Sequence, residues 1–152
     1  MITIPGSESA NAQAAAAAGV DGVIVSNHGG RQLDRSVAAV DALPEVVAAV
    51  GHRMVVMFDS GIRRGSDIAV ALSLGARLCF VGRAAAYGLA GYGAAGAQRA
   101  IEILRGELDL TLGQIGCPHA AELDPGCLWG RRSPDAEPAG VRARRGAVER
   151  VA

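Results

Sequence analysis

The sequence predicts an α/β fold in which parallel strands alternate with helices, and three observations carry that prediction. Residues 22–26, 54–58 and 78–81 are short, almost uninterrupted apolar runs, the pattern of strands covered on both faces. Each is separated from the next by an apolar segment at helical spacing, which is the βα alternation of a parallel sheet. Polar, glycine-rich residues follow each strand at once, at 26–31, 59–64 and 82–83. In parallel α/β folds those strand ends share one rim, and ligands bind there.

Taken in order, an Ala-rich segment at 9–18 reads as a helix stopped by Gly19, the residue type suited to a left-handed C-cap. The first strand follows at 22–26. Residues 37–50 are apolar at helical spacing, with Pro44 and Glu45 near the first turns and Gly51 as the stop. The second strand, 54–58, ends at Asp59. Ser66 or Asp67 is the expected cap of a helix over 68–74 that closes at Gly75, and the third strand is 78–81. A long helix over about 93–105 and a shorter one over about 108–115 complete the pattern. At most a strand remnant is expected at 1–4.

Composition narrows the function classes. Half of the 152 residues are hydrophobic and 20% are charged, so the chain reads as a globular domain able to build a core and not as a disordered one. No apolar run approaches the roughly 18 residues of a membrane span, and no export signal is legible. A cytoplasmic protein with no membrane partner is therefore expected. Cys79, Cys117 and Cys127 lack CxxC spacing and are odd in number, which argues against a disulfide framework, and no metal site is expected. Formal charge is zero, but residues 131–152 hold six Arg against three acids. Without interleaved aromatics or a recognisable module, that tail predicts no nucleic-acid partner. All fifteen basic residues are Arg.

The motifs carry more. A lone His after a strand is ordinarily a turn residue, yet in SNHGGRQLD the pair Gly29 and Gly30 opens conformations closed to other residues and lets a ligand approach. Arg31 is three positions after His28, so one loop presents a general base and a guanidinium suited to a carboxylate. DSGIRRG, at 59–65, reads either as a capped turn with two surface arginines or as a phosphate loop, with backbone N–H groups at the start of a helix and a guanidinium. GR at 82–83 is weak alone. Together the two match the phosphate site that barrel enzymes form after their last two strands.

GVDGVIVSNHGGRQLD, DSGIRRGSDIAVALSLGA, VGRAAAYGLAGYGAAG and LTLGQIGCPHAAEL, in that order, resemble the C-terminal half of the FMN-dependent 2-hydroxy-acid oxidases and dehydrogenases. That family includes glycolate oxidase, lactate oxidase and flavocytochrome-type lactate dehydrogenase. The resemblance runs from about Ala10 to Leu128 and implies a partial (β/α)8 TIM barrel, roughly its last three strands and C-terminal helices. Residues 1–128 are then the barrel part and 129–152 a disordered tail. It also implies FMN as cofactor and a small 2-hydroxy acid as substrate. His28 matches the family's active-site base, which takes a proton as the α-carbon is oxidised, and contacts substrate. Arg31 matches the residue that grips the substrate carboxylate. Ser26 corresponds to a flavin contact; Asp59, Ser60, Gly61, Ile62 and Arg63, with Gly82 and Arg83, correspond to the segments holding the ribityl chain and phosphate.

Departures from the family pattern shape the expectation. The family's flavin-contacting Lys has no counterpart in a chain without lysine. The elements that bring the substrate-binding tyrosines and the Asp partner of the catalytic His are also missing, and Tyr87 and Tyr92 are not read as replacements. Three strands of eight leave two edges and a sheet face open, so these residues alone are expected to bind FMN weakly and to turn over little. Two other readings compete with catalysis: a non-catalytic half-barrel, whether truncated or a subunit completed by a separate N-terminal chain or a homo-oligomer, and a different FMN or phosphate-binding barrel.

Overall fold

The structure, a computed structural model, describes residues 8–128. The strand remnant expected at 1–4 and the tail expected at 129–152 lie outside the described residues. In chain order the elements are α1 (Glu8–Ala17), β1 (Gly22–Val25), α2 (Ala39–Val50), β2 (Val55–Phe58), α3 (Gly65–Ser73), β3 (Leu78–Cys79) and α4 (Arg83–Gln114). Single 3-10 turns occupy His28–Gly30, Ala120–Glu122 and Pro125–Cys127. Among the described residues no helix is long and apolar enough to cross a membrane.

The three strands form one parallel sheet in the order β1-β2-β3, with Val25 opposite Phe58 and Phe58 opposite Cys79. Sequential parallel strands joined by helices are the repeating unit of a (β/α)8 barrel, here present in part. Side chains alternate across the sheet. Val23, Val25, Val56 and Phe58 are buried in one core with Ala42, Leu43, Val46 and Val50 of α2 and Ala71 of α3. Leu43, Val46 and Val50 recur at i, i+3 and i+7, so a single stripe of α2 is covered.

The opposite face is where expectation and structure part. The apolar runs predict strands buried on both sides, yet Val55 is 45% and Leu78 50% exposed, and Phe80, just past β3, is 41% exposed. Helices cover only the other face. The third strand is also shorter than the expected 78–81: Phe80 N still donates to Phe58 O at 2.8 Å, but beyond β3 no further strand pairs with it among the described residues.

Three helix expectations change. The start of α3 is Gly65, with Arg64 as N-cap. Asp67 is the third helical residue rather than the cap, and its Oδ2 accepts from Arg63 N and Arg64 N, both at 2.9 Å. The second helix, expected from 37, starts at Ala39, with Pro44 in its second turn, where its ring nitrogen offers no donor to the Val40 carbonyl. The two helices expected at 93–105 and 108–115 are one arm of α4. The break lies earlier, at Tyr92 (φ −142°) and Gly93 (φ +61°, ψ −149°). A side chain on Gly88 or Gly96 would collide with the other's backbone; that close approach is what folds the two arms of α4 against each other.

Candidate active site

The loop after β1 has an unusual backbone. His28, Gly29 and Gly30 take φ of +54°, +65° and +76° in succession, a region that non-glycine residues seldom enter. Hydrogen bonds over-determine it. Ser26 Oγ accepts from His28 N at 3.1 Å, Asn27 Oδ1 accepts from Gly29 N at 3.0 Å, and Ser60 Oγ accepts from Asn27 N and Gly29 N at 3.2 Å each. Gly29 has a second reason to lack a side chain: a Cβ there would lie 2.9 Å from Arg83 Nη2. The guanidinium of the third loop thus rests against the backbone of the first.

Ser60 and Gly61, after β2, repeat the device with φ of +88° and +83°. Asp59 binds back to both loops, its Oδ1 accepting from Ser60 N at 2.6 Å and its Oδ2 from Ser26 Oγ at 3.0 Å. The expectation that the start of α3 offers free N–H groups to an anion is corrected here. Arg63 N and Arg64 N are taken by Asp67, and Gly65 N donates to Glu107 Oε2 at 2.8 Å. Carboxylates of this chain already fill that terminus.

The start of α4 is the better anion seat. Its N-cap is Gly82, with no side-chain cap, so the first-turn N–H groups and the positive end of the helix dipole face the rim beside Arg83. A Cβ added to Gly61 or Gly82 would meet nothing within 4 Å, which leaves the space in front of both loops open.

These segments enclose a cavity of about 730 Å³. Of the residues expected at the site, His28, Arg31, Asp59, Ser60, Gly61, Ile62, Arg63, Gly82 and Arg83 all line it. Ser26 does not; it is 5% exposed and its hydroxyl is spent on Asp59 and the His28 amide. Phe80 and Tyr87 also line the cavity. Tyr87 was set aside because it follows the third strand, and only the turn of α4 brings it to the rim. Asn27, whose side chain secures the Gly29 amide, was missed for want of any spacing signal. A second cavity of about 490 Å³ shares Gly29, Ser60, Gly61, Ile62 and Arg83 and extends toward the starts of α2 and α3.

Three strand ends therefore supply an imidazole, guanidinium groups and an uncapped helix start to one cavity. The sequence pattern of the FMN-dependent dehydrogenase family matches residues 7–130. The chain belongs to that family. Its relatives include a peroxisomal (S)-2-hydroxy-acid oxidase of Oryza sativa subsp. japonica, 51% identical over 74% of this chain and 31% of the relative. An L-lactate oxidase of a Nostoc strain is 46% identical over 72% of this chain and 30% of the relative. A solved structure of an (S)-mandelate dehydrogenase variant superposes with a TM-score of 0.77 at 46% identity, covering 80% of this chain and 34% of the other. This family member thus spans about a third of the length of the relatives it matches, and the partial-barrel fold follows from the superposition.

Proposed function

We propose that this chain forms the C-terminal part of an FMN-dependent enzyme that oxidises a small 2-hydroxy acid to the 2-oxo acid. One observation carries the reading: His28 and Arg31 line the same cavity as Asp59–Arg63, Gly82 and Arg83, although the three groups leave three different strands. The donor set suits FMN. Arg63, Arg83 and the uncapped start of α4 match a phosphate dianion, Gly61 and Gly82 leave room for it, and Asp59 offers a carboxylate toward ribityl hydroxyls. When bound, FMN supplies the two-electron acceptor that no amino-acid side chain provides. Arg31 holds the substrate carboxylate, which orients the α-carbon, and His28 accepts the proton released as that carbon is oxidised.

The test is a paired titration of the 152-residue chain with FMN and with riboflavin, read by flavin fluorescence. FMN is expected to bind weakly but more tightly than riboflavin, and Arg83→Ala is expected to bring the two together; equal affinities in the unmodified chain would remove the phosphate site. Activity on glycolate, lactate and mandelate belongs to the longer assembly.

The open sheet face favours a second reading, in which this chain is a subunit completed by a separate polypeptide bearing the remaining barrel strands. Mixing it with the N-terminal portion of a relative and measuring flavin retention and turnover separates the two. A different phosphate-binding barrel fits less well, because it gives no role to His28 and Arg31. A cytoplasmic setting is part of this reading, and imaging of the tagged protein in its cell tests it.

A further inference from the structure

We propose that Ser60 is a positioning residue whose hydroxyl clasps the His28 loop to the loop after β2, so that the candidate base and the Asp59–Arg63 segment move as one body. The functional weight of this rests on the reading of His28 given above; the clasp itself does not.

Two observations carry it. Ser60 holds a φ of +88° beside Gly61 at +83°, where glycine is the less strained choice and a side chain needs compensation. The compensation is in the hydrogen bonds, and counting protons gives their direction. A hydroxyl has one proton and two acceptor positions, and an ionised carboxylate only accepts. Ser26 Oγ lies 3.0 Å from Asp59 Oδ2, so its proton goes to Asp59. The 3.2 Å contact between the two hydroxyls is then filled by the Ser60 proton, donated to Ser26. Ser26 accepts from Ser60 and from His28 N at 3.1 Å. Ser60 accepts from Asn27 N and Gly29 N, each at 3.2 Å.

Both hydroxyls are then saturated, with one polarity running from the loop amides through Ser60 and Ser26 to the Asp59 carboxylate. Ser60 has no donor or acceptor left for a ligand. Of the three consecutive amides 27, 28 and 29, the outer two are held from the second loop by Ser60, and the middle one, that of His28, is held by Ser26, which Ser60 bonds in turn. Each bond is long for its type, so the loop depends on the set rather than on any one member.

The experiment is amide hydrogen exchange by NMR on the flavin-free chain, unmodified and as Ser60→Gly, with Ser26→Ala as a second variant. If Ser60 served only the turn, glycine would be neutral or favourable there. The clasp predicts about tenfold faster exchange at Asn27 in Ser60→Gly, the order of one lost hydrogen bond, and a smaller rise at Gly29, whose N–H keeps Asn27 Oδ1 at 3.0 Å, with the strand amides Val25 and Phe58 unchanged. Ser26→Ala is expected to release mainly the His28 amide, which shows the arms to be separable. Unaltered exchange at Asn27 and Gly29, a uniform rise that includes the strands, or no protection of those amides in the unmodified chain would overturn the proposal. No flavin is added, so a failure to bind FMN leaves this outcome readable and counts only against the functional reading.

Discussion

Gly29 is the position where two independent constraints meet, a φ of +65° and a guanidinium where a Cβ would go. Either alone disfavours alanine: the backbone conformation is strained for it, and the end of the Arg83 side chain has to shift to admit its Cβ. Gly29→Ala is expected to lower unfolding stability by about 1–2 kcal/mol from the left-handed backbone alone, and to weaken FMN binding because the Arg83 guanidinium must shift from its place against the first loop. Denaturant unfolding and the flavin titration measure the two effects separately. Cys79 makes a prediction about pH. Burial pushes its thiol up to about 11 from an ordinary 9.0, so between those values the folded chain keeps a proton that the unfolded chain has released. Stability from this group is complete below pH 9 and declines as pH rises toward 11. The expected outcome is a smaller loss of unfolding midpoint between pH 8.5 and about 11 in Cys79→Ala than in the unmodified chain.

At the scale of elements, the contact between α3 and α4 decides where the Asp59–Arg63 segment sits. Gly65 touches the backbone at Glu107 and Leu108 so closely that a Cβ has no room, and Glu107 caps Gly65 N at 2.8 Å. Gly65→Ala must separate the two helices, with an expected loss of about 1–3 kcal/mol, the range for overpacking. Glu107→Ala leaves a partly buried N–H without a partner and is expected to cost about 1–3 kcal/mol. Arg64→Ala is expected to be nearly silent: its ion pair to Glu107 spans 3.7 Å, and the Arg64 side chain is 75% exposed, where such pairs contribute little. Thermal unfolding of the three variants checks that ranking. None of this contact is visible as a pattern, because glycine at a helix start reads as neutral until its neighbour is known.

At the scale of the molecule, the sheet is finished on one side only. The exposure of Val55, Leu78 and Phe80 on the face turned away from the helices, with no strand beyond β1 or β3 among the described residues, predicts concentration-dependent association of the 152-residue chain. Sedimentation should show it, and Val55→Lys combined with Leu78→Lys should reduce it without changing far-ultraviolet circular dichroism. A monomeric unmodified chain at high concentration would show that the face is tolerated by water.

The three strands, the order of the helices and the rim residues were legible in the sequence because strand period, glycine punctuation and motif order are local properties. The buried stripe of α2 and the left-handed caps at Gly19 and Gly75 belong to the same class. What only the tertiary structure decided depends on residues far apart in the chain. Asp67 and Glu107 occupy the helix start that spacing alone offers to an anion, the start of α4 takes its place, and Ser26 turns inward while Tyr87 reaches the cavity. Apolar strand runs announce that both faces seek cover, but which face finds it depends on how much barrel is present, and that is a property of the packed whole rather than of any segment.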